Sequence, residues 1–299
     1  MKILLTGGLG FVGQNLLRLM KEKGFEMGEI TVIDKAPVVD FSQRTSVKFI
    51  CADLSISGDW SKLFRDQEMI ILLHAQISSP ASADFDRHNV EATKRVITAA
   101  KKYGVKKIIY FSSAAVLSSR KDNYAQTKQL GEEIVKSSSL NYVIIQPSII
   151  YGPGDNKNIG WLINFAKKCP VFPVPGHGRY PRQPIYIDDL CQLVIKLIHN
   201  FPLENKVYSI NGKEKIYFHE MVRIVLKELK GIHFMIYLPI PVFLFLMRLY
   251  DFLFHSPFTP GQIKSLTSGD VFPDYPWWDE FGIRVTSFAE GVKSMIQQQ

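Results

Sequence analysis

The sequence predicts an α/β fold in which a doubly wound parallel sheet carries a smaller, mostly C-terminal lobe. Three observations favour this class. Short apolar runs alternate with amphipathic segments of helical period over the first half of the chain, and a glycine-rich turn follows the first apolar run. With 299 residues, of which 46% are hydrophobic, the chain can also bury a large core. Strands that alternate with helices imply βαβ units, whose right-handed crossovers place helices on both faces of the sheet.

The elements of the sheet domain follow one another in a regular order. Apolar runs predict strands at 2–5, 29–34, 47–51, 69–74, 107–111, 142–146, 185–187 and 207–210. Apolar residues at helical spacing predict helices at 10–23, 89–103, 124–136 and 189–199. Prolines make 170–184 irregular, and no further βαβ unit follows residue 215. We therefore assign 1–168 with 185–212 to the sheet domain and 169–184 with 213–299 to the smaller lobe.

Composition and charge narrow the class of protein. Three cysteines lie far apart, without the spacing of a zinc site or a disulfide scaffold, so we expect no metal and a reducing, cytoplasmic location. The first apolar run is too short for a signal peptide. The net charge of +8 comes from small basic groups that are not interleaved with aromatic residues, which argues against nucleic-acid binding. A basic surface suits an anionic ligand or the inner face of a membrane.

A glycine-rich segment opens the first predicted helix. It reads T-G-G-L-G-F-V-G and directly follows a strand. Gly7 allows the tight turn, Gly10 lets the backbone approach a pyrophosphate, and Gly13 permits close helix packing. Phe11 and Val12 complete the turn, and the helix N-terminus supplies N–H groups to the anion. The segment predicts a dinucleotide-binding site.

An acidic residue at the end of the second strand indicates which dinucleotide binds. Asp34 occupies the position from which a carboxylate accepts hydrogen bonds from an adenosine ribose and repels a 2′-phosphate. Lys35 beside it has the opposite charge and weakens this preference. The pattern favours NAD over NADP.

A tyrosine and a lysine share one face of a later helix. Tyr124 and Lys128 are four residues apart, so the phenol and the ammonium lie on the same side. We expect the cation to lower the pKa of the phenol and to give an acid or base usable near neutrality. Upstream, Ser112 and Ser113 stand at the C-terminal tip of a strand, where doubly wound sheets bind their ligands.

Together these motifs resemble the extended short-chain dehydrogenase/reductase family, in its NAD-dependent epimerase/dehydratase branch, over nearly the whole chain. The resemblance implies a Rossmann-type domain, NAD as the cofactor, and a homodimer formed through two helices per subunit. It implies that Ser113, Tyr124 and Lys128 are catalytic. Ser113 and Arg182 would also bind the substrate, the arginine at the pyrophosphate of a nucleotide-sugar. Beyond the glycine turn, Asp34 and Lys35, the implied cofactor-binding residues are Asp53, Leu54, His74, Ala75, Asn89, Tyr124, Lys128 and Pro147.

Departures from the family pattern narrow the expected activity. No Asp-Glu pair follows Ser113, although the 4,6-dehydratases of the family need one to eliminate water. Gln146 replaces the family's arginine, and Ile149 replaces an asparagine common in sugar-processing members. The resemblance implies a nucleotide-sugar 4-epimerase in which Tyr124 is the acid and base. A ketoreductase or dehydrogenase of a sugar or other alcohol, and a non-catalytic dinucleotide-binding accessory protein, are the alternatives.

A long apolar stretch lies in the smaller lobe. Residues 231–247 contain no Lys, Arg, Asp or Glu and include two prolines. The stretch is marginal for a membrane-spanning helix. We favour a buried helix of the smaller lobe, and a peripheral membrane contact through 240–254 is the alternative.

Overall fold

The computed structural model of the protein describes residues 1–37, 46–118, 122–202, 205–254, 269, 271–273 and 275–298, except for the side chains of 248 and 250–254. The chain divides into two compact units. Unit 1 comprises Met1–Pro147 and Leu190–Ile210, and unit 2 comprises Ser148–Asp189 and Asn211–Gln299.

Strands alternate with helices in chain order, as predicted. Among the described residues the strands are β1 Ile3–Thr6, β2 Ile30–Asp34, β3 Lys48–Cys51, β4 Met69–Leu72, β5 Lys107–Phe111, β6 Asn141–Pro147, β7 Ile150–Tyr151, β8 Val171–Pro175, β9 Pro181–Arg182, β10 Ile185–Tyr186, β11 Lys206–Ile210, β12 Ile216–Tyr217 and β13 Phe234–Leu238. The helices are α1 Phe11–Glu22, α2 Ser82–Phe85, α3 Ala92–Lys102, α4 Asn123–Lys136, α5 Ile159–Lys168, α6 Ile187–His199, α7 Phe218–Glu228, α8 Ile240–Phe254, α9 Trp277–Glu280 and α10 Phe288–Gln297. Shorter turns are the 3₁₀ segments Met27–Glu29, Asp59–Phe64 and Ala114–Leu117 and the π-helical turn Asp86–Glu91.

Unit 1 is built on one seven-stranded sheet. Its strand order is β11-β6-β5-β4-β1-β2-β3, and every neighbouring pair is parallel. The order reverses between β1 and β4, where Leu5 lies opposite Ile71. Ligands of doubly wound sheets bind at this reversal, beyond the carboxyl ends of the strands. The predicted Rossmann-type fold is confirmed.

The central strands of this sheet are buried along their whole length. All four residues of β1 and all four of β4 are buried, which is typical of parallel strands covered by helices on both faces. One apolar core joins the sheet to α3, with Ile70, Val96 and Ile108 packed in the same cluster as Trp60 and Phe64. This packing fixes the positions of the strand ends, where the site residues lie.

Unit 2 combines short ladders with helices. Within its described residues, β7 pairs with β10, β9 with β12 and β8 with β13, and α7 packs against α5 and α10. Hydrogen bonds attach the C-terminal segment to the rest of the unit. Trp277 Nε1 donates to the Asn211 carbonyl (2.9 Å), and the amide and hydroxyl of Thr286 donate to the Asp189 carboxylate (2.7 and 2.9 Å).

The division between the units differs from the predicted one. The sequence places 148–168 with the sheet domain, whereas the structure places this segment in unit 2. The physical reason is the apolar face of α5, because Ile159, Leu162 and Ile163 pack in the core that α7 also lines. Residues 185–187 likewise do not return to the main sheet: β10 pairs with β7, and it is β11 that joins the sheet.

The apolar stretch 231–247 forms a strand and the start of a helix. β13 and the first half of α8 cover most of it. Phe243 is buried at 8% exposure, whereas Phe245 is 66% exposed and Phe234 is 61% exposed. The buried helix that we favoured from the sequence is therefore wrong. No helix among the described residues is both long enough and apolar enough to cross a membrane.

Candidate active site

The glycine turn lies between β1 and α1, at the carboxyl edge of the sheet. Gly7 has a φ of +73°, and a Cβ there would lie 2.6 Å from the backbone nitrogen of His74. A Cβ at Gly13 would lie 2.5 Å from the Cα of Gly8. Side chains do not tolerate contacts this short with backbone atoms, so the fold requires glycine at both positions.

The N-terminus of α1 is open to an anion. Gly10 is the N-cap residue and offers no side chain to the helix, and no acidic residue lies in the first turn, which begins with Phe11 and Val12. The first amide groups of the helix therefore keep their hydrogen-bonding capacity, and the first turn itself contributes no carboxylate to the positive end of the helix dipole. These features fit the pyrophosphate of a dinucleotide.

Asp34 connects the second strand to the glycine turn. Its carboxylate, at the end of β2, accepts hydrogen bonds from the backbone N–H groups of Leu9 (2.9 Å) and Ala36 (3.0 Å). Each oxygen accepts one of these bonds, so lone pairs remain for ribose hydroxyls. The position fits the predicted ribose contact, and the same side chain orders the loop.

A charged cluster surrounds Asp53, after the third strand. The carboxylate accepts hydrogen bonds from the hydroxyl (2.6 Å) and the amide (2.8 Å) of Ser55. It also lies 3.2 Å from Arg87 Nη2 and 4.0 Å from Lys35 Nζ. Burial opposes ionisation, but the Ser55 hydrogen bonds and the charges of His88 and Lys35 outweigh it and hold the pKa of Asp53 below its usual value. The sequence interpretation missed Arg87 and His88, which precede the helix predicted from residue 89.

His74 lies next to Gly7 of the glycine turn, and its imidazole ring is neutral. Thr6 Oγ1 donates a hydrogen bond to His74 Nδ1 (2.7 Å). His74 Nε2 lies 3.4 Å from Thr93 Oγ1, whose own proton goes to the Asn89 carbonyl (2.6 Å), so Nε2 carries the ring proton. Burial lowers the pKa of His74 to about 3, with a smaller contribution from the Lys128 charge. The ring is therefore neutral at physiological pH.

Asn89 joins two segments of the site. It lies in the π-helical turn before α3, and such turns occur frequently at functional sites. Its side-chain oxygen accepts a hydrogen bond from the Gln76 amide (2.7 Å), and its nitrogen donates to the Gln76 carbonyl (3.1 Å) and to Thr127 Oγ1 (3.0 Å). Asn89 thus fixes the segment after β4 against α4. Its direct contact with the cofactor stays a prediction.

Ser113 and Tyr124 are brought together from β5 and α4. The Ser113 hydroxyl is hydrogen-bonded to the Tyr124 phenol. The same hydroxyl accepts a bond from the Ala115 amide (3.2 Å), which fixes it at the strand tip. Asp122 caps α4 by accepting a hydrogen bond from the Ala125 amide (2.8 Å). The cap fixes the start of the helix and with it the position of Tyr124 in the first turn. Residues 119–121 lie outside the described part of the chain.

Lys128 lies one turn further along α4 and is buried. Its side chain is 2% exposed, and Nζ lies 4.3 Å from the centroid of the Tyr110 ring. A cation over an aromatic face is attracted by the ring quadrupole. Burial lowers the pKa of Lys128 to about 7, although the Glu132 carboxylate favours the charged form. The ammonium and the neutral amine are therefore both populated near neutral pH.

Glu132 extends this polar row by another turn. Tyr124, Lys128 and Glu132 follow one another at intervals of four residues on α4. The Glu132 carboxylate is buried and accepts hydrogen bonds from Gln146 Nε2 (2.7 Å) and Lys136 Nζ (3.0 Å). Gln146 is neutral, whereas the family pattern has an arginine at this position. Without that positive charge beside it, the Glu132 carboxylate favours the charged form of Lys128 more strongly. The sequence interpretation missed Glu132, although the four-residue repeat could have indicated it.

The protonation of Tyr124 differs from the expectation. Burial raises the pKa of Tyr124 to about 12, and the hydrogen bond from Ser113 opposes this only in part. Lys128 is not among the groups that shift this pKa, and its ammonium lies over the Tyr110 ring instead. The predicted lowering of the phenol pKa by the lysine is therefore wrong, and the phenol is protonated at neutral pH.

The remaining predicted residues are divided between the units. Leu54, Ala75 and Pro147 lie in unit 1 with the other predicted cofactor and catalytic residues. Arg182 lies in unit 2, where it pairs with Ile216 across β9 and β12 and is buried. The structure thus groups the cofactor and catalytic predictions in one unit, and substrate binding by Arg182 stays a prediction.

Comparison with known proteins identifies the family. A model of the NAD dependent epimerase/dehydratase family matches residues 3–210, which is more than half of the chain. The chain belongs to this family. It is accordingly an NAD-dependent enzyme of the epimerase/dehydratase class, and the resemblance stated from the sequence motifs is confirmed.

The proteins whose sequences are similar to this chain include a reductase and an epimerase. The chain is 29% identical to the ceramide reductase of Caulobacter vibrioides over 172 residues, 58% of this chain and 53% of that protein, so the match spans about half of the relative. It is 24% identical to the UDP-glucose 4-epimerase of Vibrio cholerae over 74% of each protein. The structure of the UDP-glucose 4-epimerase of Thermotoga maritima with UDP-glucose matches 99% of this chain and 98% of its own with a TM-score of 0.79. At 18% identity this likeness concerns the fold.

Proposed function

We propose that the chain is an NAD-dependent epimerase that acts on a nucleotide-sugar through a transient keto intermediate. The hydrogen-bonded pair of Ser113 and Tyr124, at the same edge of the sheet as the glycine turn, carries the proposal. The two UDP-glucose 4-epimerases support it, because one matches 74% of the chain in sequence and the other matches 99% of it in fold.

The residues of unit 1 would hold the cofactor by the contacts that its parts require. The glycine turn and the N-terminus of α1 would bind the pyrophosphate of NAD, and Asp34 would bind the adenosine ribose. His74 and Ala75 would contact the nicotinamide end, and Lys128 the nicotinamide ribose. NAD, when bound, supplies the oxidant for the first half of the reaction and the reductant for the second.

Tyr124 would move one proton at the substrate oxygen. As the phenolate it accepts the proton of the sugar hydroxyl when the carbon is oxidised, and as the phenol it returns this proton when the carbonyl is reduced. Ser113 hydrogen-bonds the same oxygen and limits the movement of the phenol. A positioned acid–base group of this kind typically contributes about 10²–10⁴-fold to the rate.

One observation favours a second candidate, a ketoreductase. The pKa of Tyr124 is raised to about 12, so the protonated phenol predominates at neutral pH. A phenol protonates a carbonyl oxygen, which is the step that net reduction needs, whereas an epimerase must also use the phenolate. One relative of the chain is a ceramide reductase, which by its name is also a reductase.

Product analysis separates the two candidates. The purified chain is incubated with NAD and with UDP-, GDP- and dTDP-sugars, and the sugars are identified by NMR while the absorbance of reduced nicotinamide is followed. An epimerase gives a new sugar without a net change in absorbance. In a parallel incubation with reduced nicotinamide and a ketone substrate, a ketoreductase consumes the reduced cofactor and forms no epimer. If no nucleotide-sugar reacts, the epimerase proposal fails.

Arg182 provides a test of the substrate class alone. A guanidinium can bind a pyrophosphate through two parallel hydrogen bonds, which a lysine cannot reproduce. We therefore expect Arg182→Lys to weaken binding of UDP about tenfold or more, on the basis of about 1.5–3 kcal/mol for a hydrogen bond to a charged group. Calorimetric titration with UDP measures this, and NAD affinity should not change. If wild type binds no nucleoside diphosphate, the substrate is of another class.

A further inference from the structure

An apolar face of unit 2 is exposed on two adjoining elements. We define the apolar face as Phe234 and Ile236 of β13 with Val242, Phe245 and Leu249 of α8, all of which are exposed. α8 packs on β8, and β8 is the strand paired with β13, so α8 and β13 both adjoin the same strand. Single exposed apolar residues are ordinary, but a group on adjoining elements marks a surface that another body covers.

A cationic pocket lies beside the apolar face. It has a volume of about 610 Å³ and is lined by His177, Arg179, His219, Arg223 and Tyr237. Tyr237 belongs to β13, so the pocket and the apolar face share a strand. No acidic side chain lines the pocket among the described residues. Two guanidinium groups without a lining carboxylate suit a phosphate group, which arginine binds in a bidentate manner.

The pocket is also held in shape by backbone contacts. His219 Nδ1 lies 3.0 Å from the Gly178 carbonyl, and the Arg179 amide donates to His177 Nδ1 (2.9 Å). A Cβ at Gly178 would lie 2.8 Å from the Cβ of His219 and 3.4 Å from the Tyr237 ring. The loop before β9, the start of α7 and β13 therefore meet closely at this glycine.

The sequence around this surface is strongly biased in charge. Residues 169–187 and 229–250, which provide the loop, β13 and part of α8, contain no Asp or Glu but contain Arg179, Arg182, Lys230 and Arg248. Helix α7, which provides His219 and Arg223, also carries Glu220 and Glu228, neither of which lines the pocket. An exposed apolar face beside a cationic pocket matches the boundary of an anionic bilayer, in which phosphate groups lie beside acyl chains.

We propose that this surface docks on a membrane that contains anionic phospholipids. The apolar face enters the boundary between headgroups and acyl chains, and the cationic pocket binds the phosphate of one lipid. A second copy of the chain is the less favourable occupant, because a symmetric dimer through this surface would bring two cationic pockets close together. A small phosphorylated ligand would occupy the pocket but would leave the apolar face exposed.

Vesicle sedimentation tests the proposal. The full chain is mixed with vesicles of phosphatidylcholine alone and with vesicles that also contain phosphatidylglycerol. We expect binding to the anionic vesicles, little binding to the neutral ones, and a decrease with rising salt. Phe245→Ser should weaken binding at least about tenfold, since it removes a large apolar side chain from the membrane-buried face. Arg223→Gln should weaken it about fivefold, since a basic residue near such a surface contributes about 1 kcal/mol.

Matched variants in unit 1 provide the controls. Ile56→Ser changes an exposed apolar side chain and Lys62→Gln an exposed cation, and neither should alter vesicle binding. Thermal unfolding followed by circular dichroism, measured on every variant, should stay at the wild-type value and shows that the variant is folded. Wild-type protein that binds neither vesicle overturns the proposal.

Two further results would overturn it in favour of another occupant. The first is a dimer in sedimentation equilibrium that Phe245→Ser dissociates, together with no vesicle binding, which assigns the surface to a second copy. The second is calorimetric binding of inorganic phosphate that Arg223→Gln removes, again without vesicle binding, which assigns the pocket to a free phosphate compound.

Discussion

Lys128 and Tyr110 form a buried cation–aromatic pair, with the ammonium nitrogen 4.3 Å from the ring centroid. The pair joins β5 to α4, and the hydroxyl of the same ring lies where a Cβ of Gly131 would be. The strand and the helix can therefore approach only because residue 131 has no side chain. One aromatic ring both receives the lysine and sets the spacing of the two elements that carry the proposed catalytic residues.

Gly131→Ala should destabilise unit 1. The added methyl group would overlap the Tyr110 hydroxyl, and overpacking of this kind costs about 1–3 kcal/mol. Chemical denaturation measures the free energy of unfolding. The double variant Tyr110→Phe, Gly131→Ala should recover part of the loss, because the hydroxyl contact is removed while the ring carbon Cζ still lies 2.9 Å from the new Cβ. Gly28→Ala, where a Cβ meets nothing within 4 Å, should stay near wild type. Equal losses in the single and double variants would contradict the proposed overlap.

Tyr124→Phe should lower turnover by about 10²–10⁴-fold and leave NAD binding unchanged, because it removes the proton-transferring oxygen but keeps the ring. Steady-state rates and calorimetry with NAD measure the two effects. Tyr142→Phe removes a phenol from the start of β6 and should keep full activity. A Tyr124→Phe enzyme with more than half of the wild-type rate would exclude the catalytic role.

Glu132→Gln should shift the pH dependence of activity. The Glu132 carboxylate favours the charged form of Lys128, whose pKa burial has lowered to about 7, so its removal lowers that pKa further. The alkaline limb of the kcat/KM profile should therefore move to lower pH. Glu133→Gln changes the neighbouring exposed carboxylate and should leave the profile in place. An unshifted profile in Glu132→Gln would show that Lys128 titration does not govern activity.

Asp34→Ala should reduce discrimination between NAD and NADP. The substitution removes an acceptor for ribose hydroxyls and a negative charge that repels a 2′-phosphate. We expect NAD to bind more weakly, also because the Leu9 amide loses its hydrogen-bond acceptor, and NADP to bind more tightly than before. Fluorescence titrations with both cofactors give the ratio. If the ratio of the NAD and NADP affinities did not change, Asp34 would not contact the adenosine ribose.

His74→Gln should make the protein less sensitive to acid. Burial lowers the pKa of His74 from 6.5 to about 3, so between these values the unfolded chain binds a proton that the folded chain does not. The stability that a neutral His74 allows is thus complete above pH 6.5 and is lost as the pH falls toward 3. The wild-type free energy of unfolding should fall relative to the variant by up to about 1.4 kcal/mol per pH unit in this window. If the free energy of unfolding of the wild type and of the variant depended on pH in the same way, a buried neutral histidine would be contradicted.

The parts of the fold that follow from local pattern could be predicted from the sequence. Apolar runs located the seven strands of the main sheet to within two residues at each end, and the glycine spacing located the turn between β1 and α1. The resemblance to the family implied that Ser113 and Tyr124 act together, and Ser113 was also placed at a strand tip by its own sequence position. Each of these signals depends on residues close together in the chain or on one regular period.

Properties that depend on distant neighbours could not be predicted in this way. Helical spacing brought Tyr124 and Lys128 to one face, but the lysine head group is held by Tyr110 on another element, and burial then raised the phenol pKa. The segment 148–168 was assigned to the sheet domain, but its helix α5 packs against α7 in unit 2. The residue pattern of the segment itself does not indicate this distant packing partner. Hydrophobicity at 231–247 likewise did not indicate which side chains would be covered.

The path of the chain has a consequence for synthesis of the protein. β6 ends at Pro147, and its second partner in the sheet, β11, follows only after the whole segment Ser148–Asp189. At about 5–20 residues per second, a ribosome leaves one side of β6 without a neighbour for several seconds after it has emerged. An open strand edge of this kind can pair with another nascent chain. The speed of translation between these strands, and any chaperone that shields the edge, therefore helps to determine how much protein reaches the native state.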